Sequence, residues 1–454
     1  MLSTLILCAS LLAQQRADWI VSARYVVTMD ASRRVIENGA VAIRGGEIAG
    51  VGEDAAIRRG FRGRRIDRGE AILMPGLINA HTHAPMSLFR GVADDLPLQT
   101  WLEKFIFPAE AKNLNPEFIR WGTRLACLEM LLGGTTTFVD MYYFEDLIAE
   151  ETKRAGMRAI LGQTVIQFPV ADHKTPEAAL EASERFLQRY ANDPLITPAV
   201  APHALYTNRD ETLRAARALA NKYGKPLVIH LAETKREDAE TRAQRGASPT
   251  AVLERLGVLS GWTIAAHAVW VDADDSGTLL ARGTGVAHCP SSNMKLASGI
   301  APVMRMLRLG IPVGLGTDGP AGSNNDFNLF EEMDLASKLA KVAENDPEAL
   351  PAKKAVEMAT IEGAKAIGLA AKIGSLEPGK RADFIAIRLD RPHAAPMFDV
   401  YSQIVYALKA SDVRDVWIEG RPVVRDGRAL TLDQAAILRA AAEYRARIAA
   451  SLSQ

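Results

Sequence analysis

Between about residues 73 and 374 the chain repeats one alternation: a short apolar run, an amphipathic stretch, then another apolar run. The runs are ILMPGLINAH, TTTFVDM, RAILGQTVI, ITPAVAPH, PLVIHLAE, TIAAHA, GVAHCP and IPVGLGTD. Each has the length and composition of a buried strand. Between many of them lie helical patterns such as PEFIRWGTRLACLEMLLG and DETLRAARALANKYG, the second ending in a glycine suited to a helix C-cap. Eight buried strands separated by helices over about 300 residues predict an α/β fold, the (β/α)8 TIM barrel.

The flanks have a different texture. Residues 18–72 alternate in the manner of strands, as in WIVSARYVVTMD and VIENGAVAIRGGEIAGVG, and the pattern returns in ADFIAIRLD and VRDVWIEGRPVVRDGR at 375–430. Two all-β pieces around a different middle predict one small β-sandwich domain built from both chain ends. Residues 431–454 read as a helix covering the barrel.

Charge narrows the partners. Lys+Arg and Asp+Glu both number 54, which predicts no nucleic-acid partner and no stable membrane association. Cys8, Cys127 and Cys289 are too few and too scattered for a disulfide framework, and Cys127 reads as a small core residue. Residues 1–17 form a leader whose apolar part, 2–13, is too short to span a bilayer and long enough for a signal-peptide core. No Lys or Arg precedes that part, Leu11 sits poorly for cleavage after Ala13, and Cys8 lacks the setting of a lipoprotein signal. The alternative is a start codon set too far upstream, with folded sequence from about Asp18. The protein is exported, to the periplasm for instance, in the first case and cytoplasmic in the second.

The histidines carry the chemistry. In a barrel of this kind functional groups sit at the C-terminal ends of strands. His81 and His83 end the first run, and their two-residue spacing points both side chains one way. His203 ends the fourth run, His230 the fifth, His267 the sixth, His288 lies near the end of the seventh, and Asp318 ends the eighth. Only His173 and His393 of the eight histidines fall elsewhere. Imidazoles with one carboxylate suit a divalent transition metal completed by water. His81, His83, His230 and Asp318 are the expected ligands, for zinc, iron or manganese.

The segments MPGLINAHTH, GTTTFVD, HLAET, HCPSSN, GLGTD and GSLEPGKRADFIAI resemble the amidohydrolase superfamily along nearly the whole chain. RGVADDLPLQTWLEKFIFPAEAK is similar to the branch that holds methylthioadenosine/S-adenosylhomocysteine deaminases and chlorotriazine hydrolases. The resemblance implies a metal-dependent deaminase acting on the C–N bond of a cyclic amidine. It also implies one metal, zinc foremost, because two-metal relatives carry a modified lysine where ITPAVAPHALYT offers His203. Metal-activated water would attack the ring, with Asp318 taking its proton. Glu233, three residues past His230, would protonate the ring nitrogen and then the leaving amine, and His267 would orient the nucleophile. His288 would touch substrate or hold the HCPSSN loop.

Substrate rests on fewer residues. By the same resemblance Glu110 would grip the ribose hydroxyls and His203 would touch the purine, with Trp101 lining the pocket or the core. Relatives that bind homocysteine carry an arginine just after the third strand, where Gln163 stands here. An amide does not replace a bidentate guanidinium, so methylthioadenosine or adenosine is expected over S-adenosylhomocysteine unless Lys174 reaches in. The runner-up is hydrolysis of another heteroaromatic ring: guanine, 8-oxoguanine or a chlorotriazine. A non-catalytic binding protein would have lost His83, Glu233 or Asp318, and all three are present. The barrel surface leaves room for a homo-oligomer.

Overall fold

The computed structural model describes residues 14–452. Eight parallel strands follow one another in chain order: Leu77–Thr82, Thr135–Tyr142, Arg158–Val165, Ile196–Pro202, Leu227–Leu231, Thr263–His267, Gly285–His288 and Val313–Leu315. Inward side chains such as Ile78, Val139, Ile160, Val228 and Ile264 fill the interior. Outward ones such as Phe138, Leu161 and Ile229 pack under the surrounding helices. Burial on both faces explains why these strands read as unbroken apolar runs.

The helices start and stop where local chemistry dictates. Thr175 caps Pro176–Arg189 by accepting from the Ala178 N–H, and Asn115 caps Pro116–Leu132 through the Glu117 and Phe118 N–H groups. Gly224, at φ 62°, closes Asp210–Tyr223 in the left-handed conformation.

Side chain and backbone together join the last strand to the first. The Thr317 N–H donates to Asn79 Oδ1 at 3.0 Å, Asn79 Nδ2 donates to Thr317 Oγ1 at 2.8 Å, and the Asp318 N–H donates to the His81 carbonyl at 3.0 Å.

The chain ends form a single mixed sheet of nine strands. It curls over its own core: Trp19 and Trp417 meet edge-to-face at 5.5 Å although two other strands lie between theirs. Val21, Val41, Leu73, Phe384 and Trp417 fill the space enclosed. The sandwich is therefore one sheet folded on itself. Its first strand begins at Gln15, three residues ahead of Asp18. Arg158 bolts sheet to barrel, donating from Nε to Asp383 at 2.8 Å and pairing with Glu419. The C-terminal helix Gln434–Leu452 lays Tyr444 against Phe118, with ring centroids 5.5 Å apart.

The run ILMPGLINAH is two strands. Ala71–Pro75 pairs with Phe384–Arg388 in the mixed sheet, whereas Leu77–Thr82 belongs to the barrel. Gly76 separates them because its backbone is pressed against Thr136. The expected leader, including Cys8, lies for residues 1–13 outside the described residues. Cys127 and Cys289 are buried and unpaired. Among the described residues no helix is long and apolar enough to cross a membrane.

A Cβ at Gly76 would lie 2.2 Å from Thr136 Cγ2 and Oγ1. Gly76→Ala is expected to destabilise the fold by about 1–3 kcal/mol through overpacking, read as a lower denaturant midpoint.

Candidate active site

The pocket is built from strand ends, and their phase decides which side chains enter it. On the fifth strand Val228 faces the interior, Ile229 faces the helices and His230 faces inward again. Three other groups reach the centre by breaking that alternation. The ladder between first and second strands shifts register between Asn79 and Thr82, just where His81 lies. His267 adopts φ 70° and Asp318 φ 64°, left-handed values that turn each off its strand. Such conformations cost about 1–3 kcal/mol each for residues other than glycine and concentrate at functional sites.

The imidazoles of His81, His83, His230 and His267 crowd together. The His81 ring centroid lies 4.8, 4.9 and 5.3 Å from those of His83, His230 and His267. Asp318 Oδ1 sits 3.4 Å from His81 Nε2 and 3.3 Å from His83 Nε2, while the Nε2 atoms of His83 and His230 are 3.3 Å apart. The outer nitrogens are committed to backbone: His83 Nδ1 lies 2.7 Å from the Met141 carbonyl and His230 Nδ1 lies 2.8 Å from the His203 carbonyl. A carbonyl only accepts, so each Nδ1 carries a proton and each Nε2 points inward, the atom a cation would meet.

These donors fit a cation. His81 is fully buried, and neither ring nitrogen makes a hydrogen bond. An unmade bond in the interior costs about 1–3 kcal/mol; a cation among the converging lone pairs removes that penalty. Burial and the surrounding imidazoles hold His230 well below the usual imidazole range, and burial lowers His81 to about 4. Burial opposes ionisation of Asp318, yet the close contacts with His81 and His83 carry it well below the usual carboxylate range. His83 alone goes up, to about 9, since contact with Asp318 outweighs the burial that opposes its charge. The cluster thus attracts positive charge to its centre. His267 lies in a second group with His81 and His230 whose donor atoms are all within 4.8 Å of one another.

Two carboxylates line the same pocket. Glu233 is buried, its Oε2 4.0 Å from His267 Nε2, and burial raises its pKa. Its backbone N–H donates to Glu237 Oε2 at 2.8 Å. Glu110, on the helix Phe107–Asn113, is buried rather than solvated and accepts from the Tyr142 hydroxyl. Burial pushes its carboxyl up to about 7. His203, just past the fourth strand, is held at about 3 by burial and by His83, with Nδ1 3.1 Å from Thr207 Oγ1. Trp101 lines the pocket and donates from Nε1 to the Ala321 carbonyl at 2.9 Å. Outside lies a cavity of about 1010 Å³ that shares Glu110, Phe107, Tyr143 and Tyr206 with the inner pocket and is also lined by Lys174 and Arg209.

Strand phase turns two of the residues singled out in the sequence, His288 and Gln163, away from the pocket. His288 follows inward Ala287 and so faces the helix layer, in a small cavity with Met304 and Leu339 away from the pocket. Gln163 precedes pocket-lining Thr164 and donates from Nε2 to Asp172 Oδ2 at 2.9 Å, so it does not stand in for a carboxylate-binding arginine. Tyr142, Ser292 and Asn293 were missed as site residues, although each lies in or beside a segment already conspicuous. A polar side chain within a buried run was the available signal.

Histidines and an aspartate converging at the strand ends of a (β/α)8 barrel define a hydrolase barrel suited to a metal. The chain belongs to the amidohydrolase family, whose pattern matches residues 72–423. It is 46% identical over 419 residues to a 5-methylthioadenosine/S-adenosylhomocysteine deaminase of Thermodesulfovibrio yellowstonii, covering 92% of this chain and 95% of that one. The fold is similar to an adenosine deaminase from Xanthomonas campestris with bound zinc, at TM-score 0.94 and 40% identity, covering 96% of this chain and 100% of that one. It is also similar to the atrazine chlorohydrolase TrzN from Arthrobacter aurescens, complexed with zinc, at TM-score 0.87 and 25% identity over 94% of this chain and 100% of that one.

Burial holds His288 at about 3, so the unfolded chain takes up a proton that the folded chain refuses. Its contribution to stability is full above the ordinary imidazole value near 6.5 and is lost as pH falls below it. Between pH 7 and pH 5 this group is expected to cost about 2 kcal/mol. Unfolding titrations at the two pH values should therefore show a smaller loss for His288→Gln than for the unaltered protein.

Proposed function

We propose that the protein hydrolyses the exocyclic amine of an adenine nucleoside, giving the inosine-type product and ammonia. One observation carries the reading: Glu233 is a buried carboxyl with a raised pKa on the wall of the pocket that holds the histidine–aspartate cluster. Chloride leaves without a proton, whereas an amine must receive one, and Glu233 is placed to supply it. Glu110 and His203 support a nucleoside over a free base or a triazine, since they add a carboxylate for ribose hydroxyls and a neutral imidazole for the purine.

His81, His83, His230 and Asp318 would hold a divalent cation, which when bound would supply the chemistry of lowering the pKa of a water toward neutrality. The chain's own groups move the protons. Asp318, kept ionised by its neighbours, takes the proton that the water gives up. Glu233 protonates N1, which draws electrons from C6, then collects the proton that the attacking hydroxyl sheds and passes it to the amino group, which departs as ammonia; the proton held by Asp318 restores Glu233. His267 accepts at the attacking oxygen and holds its orientation. Zinc is the metal we favour; two similar structures hold it, and the donor set suits it.

The outer cavity takes the 5′ substituent. It has far more room than a methylthio group needs, and Arg209 and Lys174 have no acid partner there among the described residues. Lys174 lines this cavity, the condition on which the sequence leaves a homocysteine carboxylate open. We therefore extend the reading to S-adenosylhomocysteine alongside methylthioadenosine, the two nucleosides named for the Thermodesulfovibrio relative.

Glu233→Gln keeps the shape of the pocket and removes the transferable proton. Ammonia release from methylthioadenosine is expected to fall about 10²–10⁴-fold in kcat while the protein keeps its metal. An unchanged kcat would show that Glu233 carries no proton in the reaction.

A further inference from the structure

The short helix Pro290–Lys295, from the HCPSSN segment, has no role in the mechanism above, yet it reaches two of the groups that carry it. Ser292 Oγ donates to Asp318 Oδ2 at 2.7 Å. One residue on, Asn293 Oδ1 lies 3.1 Å from His267 Nδ1. Ser292 and Asn293 are both fully buried, so neither bond competes with solvent.

The two oxygens of Asp318 are thereby divided. Oδ2 is tied to Ser292, and Oδ1, which also accepts from the Gly319 N–H at 2.7 Å, is the one facing His81 and His83. Rotation of the carboxylate would break both bonds. His267 is constrained in another way. A carbonyl oxygen accepts, so Asn293 Oδ1 fixes the proton on Nδ1 and leaves the Nε2 lone pair toward Glu233 and the cluster.

The helix is itself anchored. Glu332 Oε2 accepts from the Ser291 N–H at 3.1 Å, while its Oε1 accepts from Asn324 Nδ2 at 3.1 Å. Asn324 belongs to the loop that follows Asp318, and its Nδ2 also donates to the Thr317 carbonyl at 2.9 Å. One buried carboxyl therefore clamps the helix to the segment bearing Asp318.

We propose that Ser292 and Asn293 are positioning residues, Ser292 setting which oxygen of Asp318 faces the histidine cluster and Asn293 setting the tautomer of His267. The proposal deepens the deaminase reading and rests on it for the kinetic part only. Ser292 acts on a group of the metal site, so its loss reaches both metal retention and turnover. Asn293 acts on the group that orients the nucleophile, so its loss reaches turnover alone.

The test compares Ser292→Cys, an isostere with a weak donor, with Ser292→Thr, which keeps the hydroxyl, and with Asn293→Leu. Zinc affinity is measured by competition with a chelator, and kcat and KM with methylthioadenosine. Ser292→Cys is expected to weaken zinc binding about 10–100-fold, the range for partners of metal ligands, and to lower kcat with KM nearly constant. Ser292→Thr should recover most of both. Asn293→Leu should lower kcat while zinc affinity stays at the level of the unaltered protein. Unchanged zinc affinity and kcat in Ser292→Cys, or equal losses in Ser292→Cys and Ser292→Thr, would overturn the role of Ser292. Unchanged kcat in Asn293→Leu would overturn that of Asn293. If the unaltered protein deaminates no adenine nucleoside, the functional reading fails, and the zinc affinities still decide for or against Ser292.

Discussion

Closure of the barrel is the contact on which the rest depends. Asn79 bonds twice to Thr317, and the Asp318 N–H bonds to the His81 carbonyl, so the last strand end is locked to the first. That lock carries Asp318, more than two hundred residues along the chain, to within 3.4 Å of His81 and His83. Without it the histidines would be an uncompensated group of buried bases. With it they surround a carboxylate, and the site becomes a cage for one positive charge.

The electrostatics follow from that cage. A protein interior disfavours charge, and burial alone would neutralise every group here. Instead Asp318 stays ionised because two imidazoles face it, and His83 is drawn toward protonation by the same contact. Glu233 and Glu110 lie farther from that negative centre, and burial raises their pKa. Carboxylates of one pocket are thus driven in opposite directions, the arrangement by which one site holds a base and an acid together.

The (β/α)8 barrel, the β domain drawn from both chain ends and the converging histidines were legible because each depends on local pattern. His230 is the plainest case, since regular alternation after Val228 puts it in the pocket. The failures share a cause: strand phase is a matter of one residue, and a linear reading does not mark where it slips. His288 and Gln163 sit at strand ends yet face the helices, whereas His267 enters the pocket only through a left-handed turn. The break at Gly76 was hidden because it depends on Thr136, far along the chain. Ser292 and Asn293 were passed over for the same reason, their partners being 26 residues away in either direction.

The central claim is that one cation, held at this cluster, drives removal of the adenine amine. The most direct measurement is a titration of metal-depleted protein with zinc, following ammonia release from methylthioadenosine and identifying the nucleoside product. The account predicts activity rising linearly to one equivalent of zinc per chain, with the inosine-type product formed mole for mole with ammonia. Activity that required two equivalents, or methylthioadenosine recovered intact from the fully loaded protein, would contradict it.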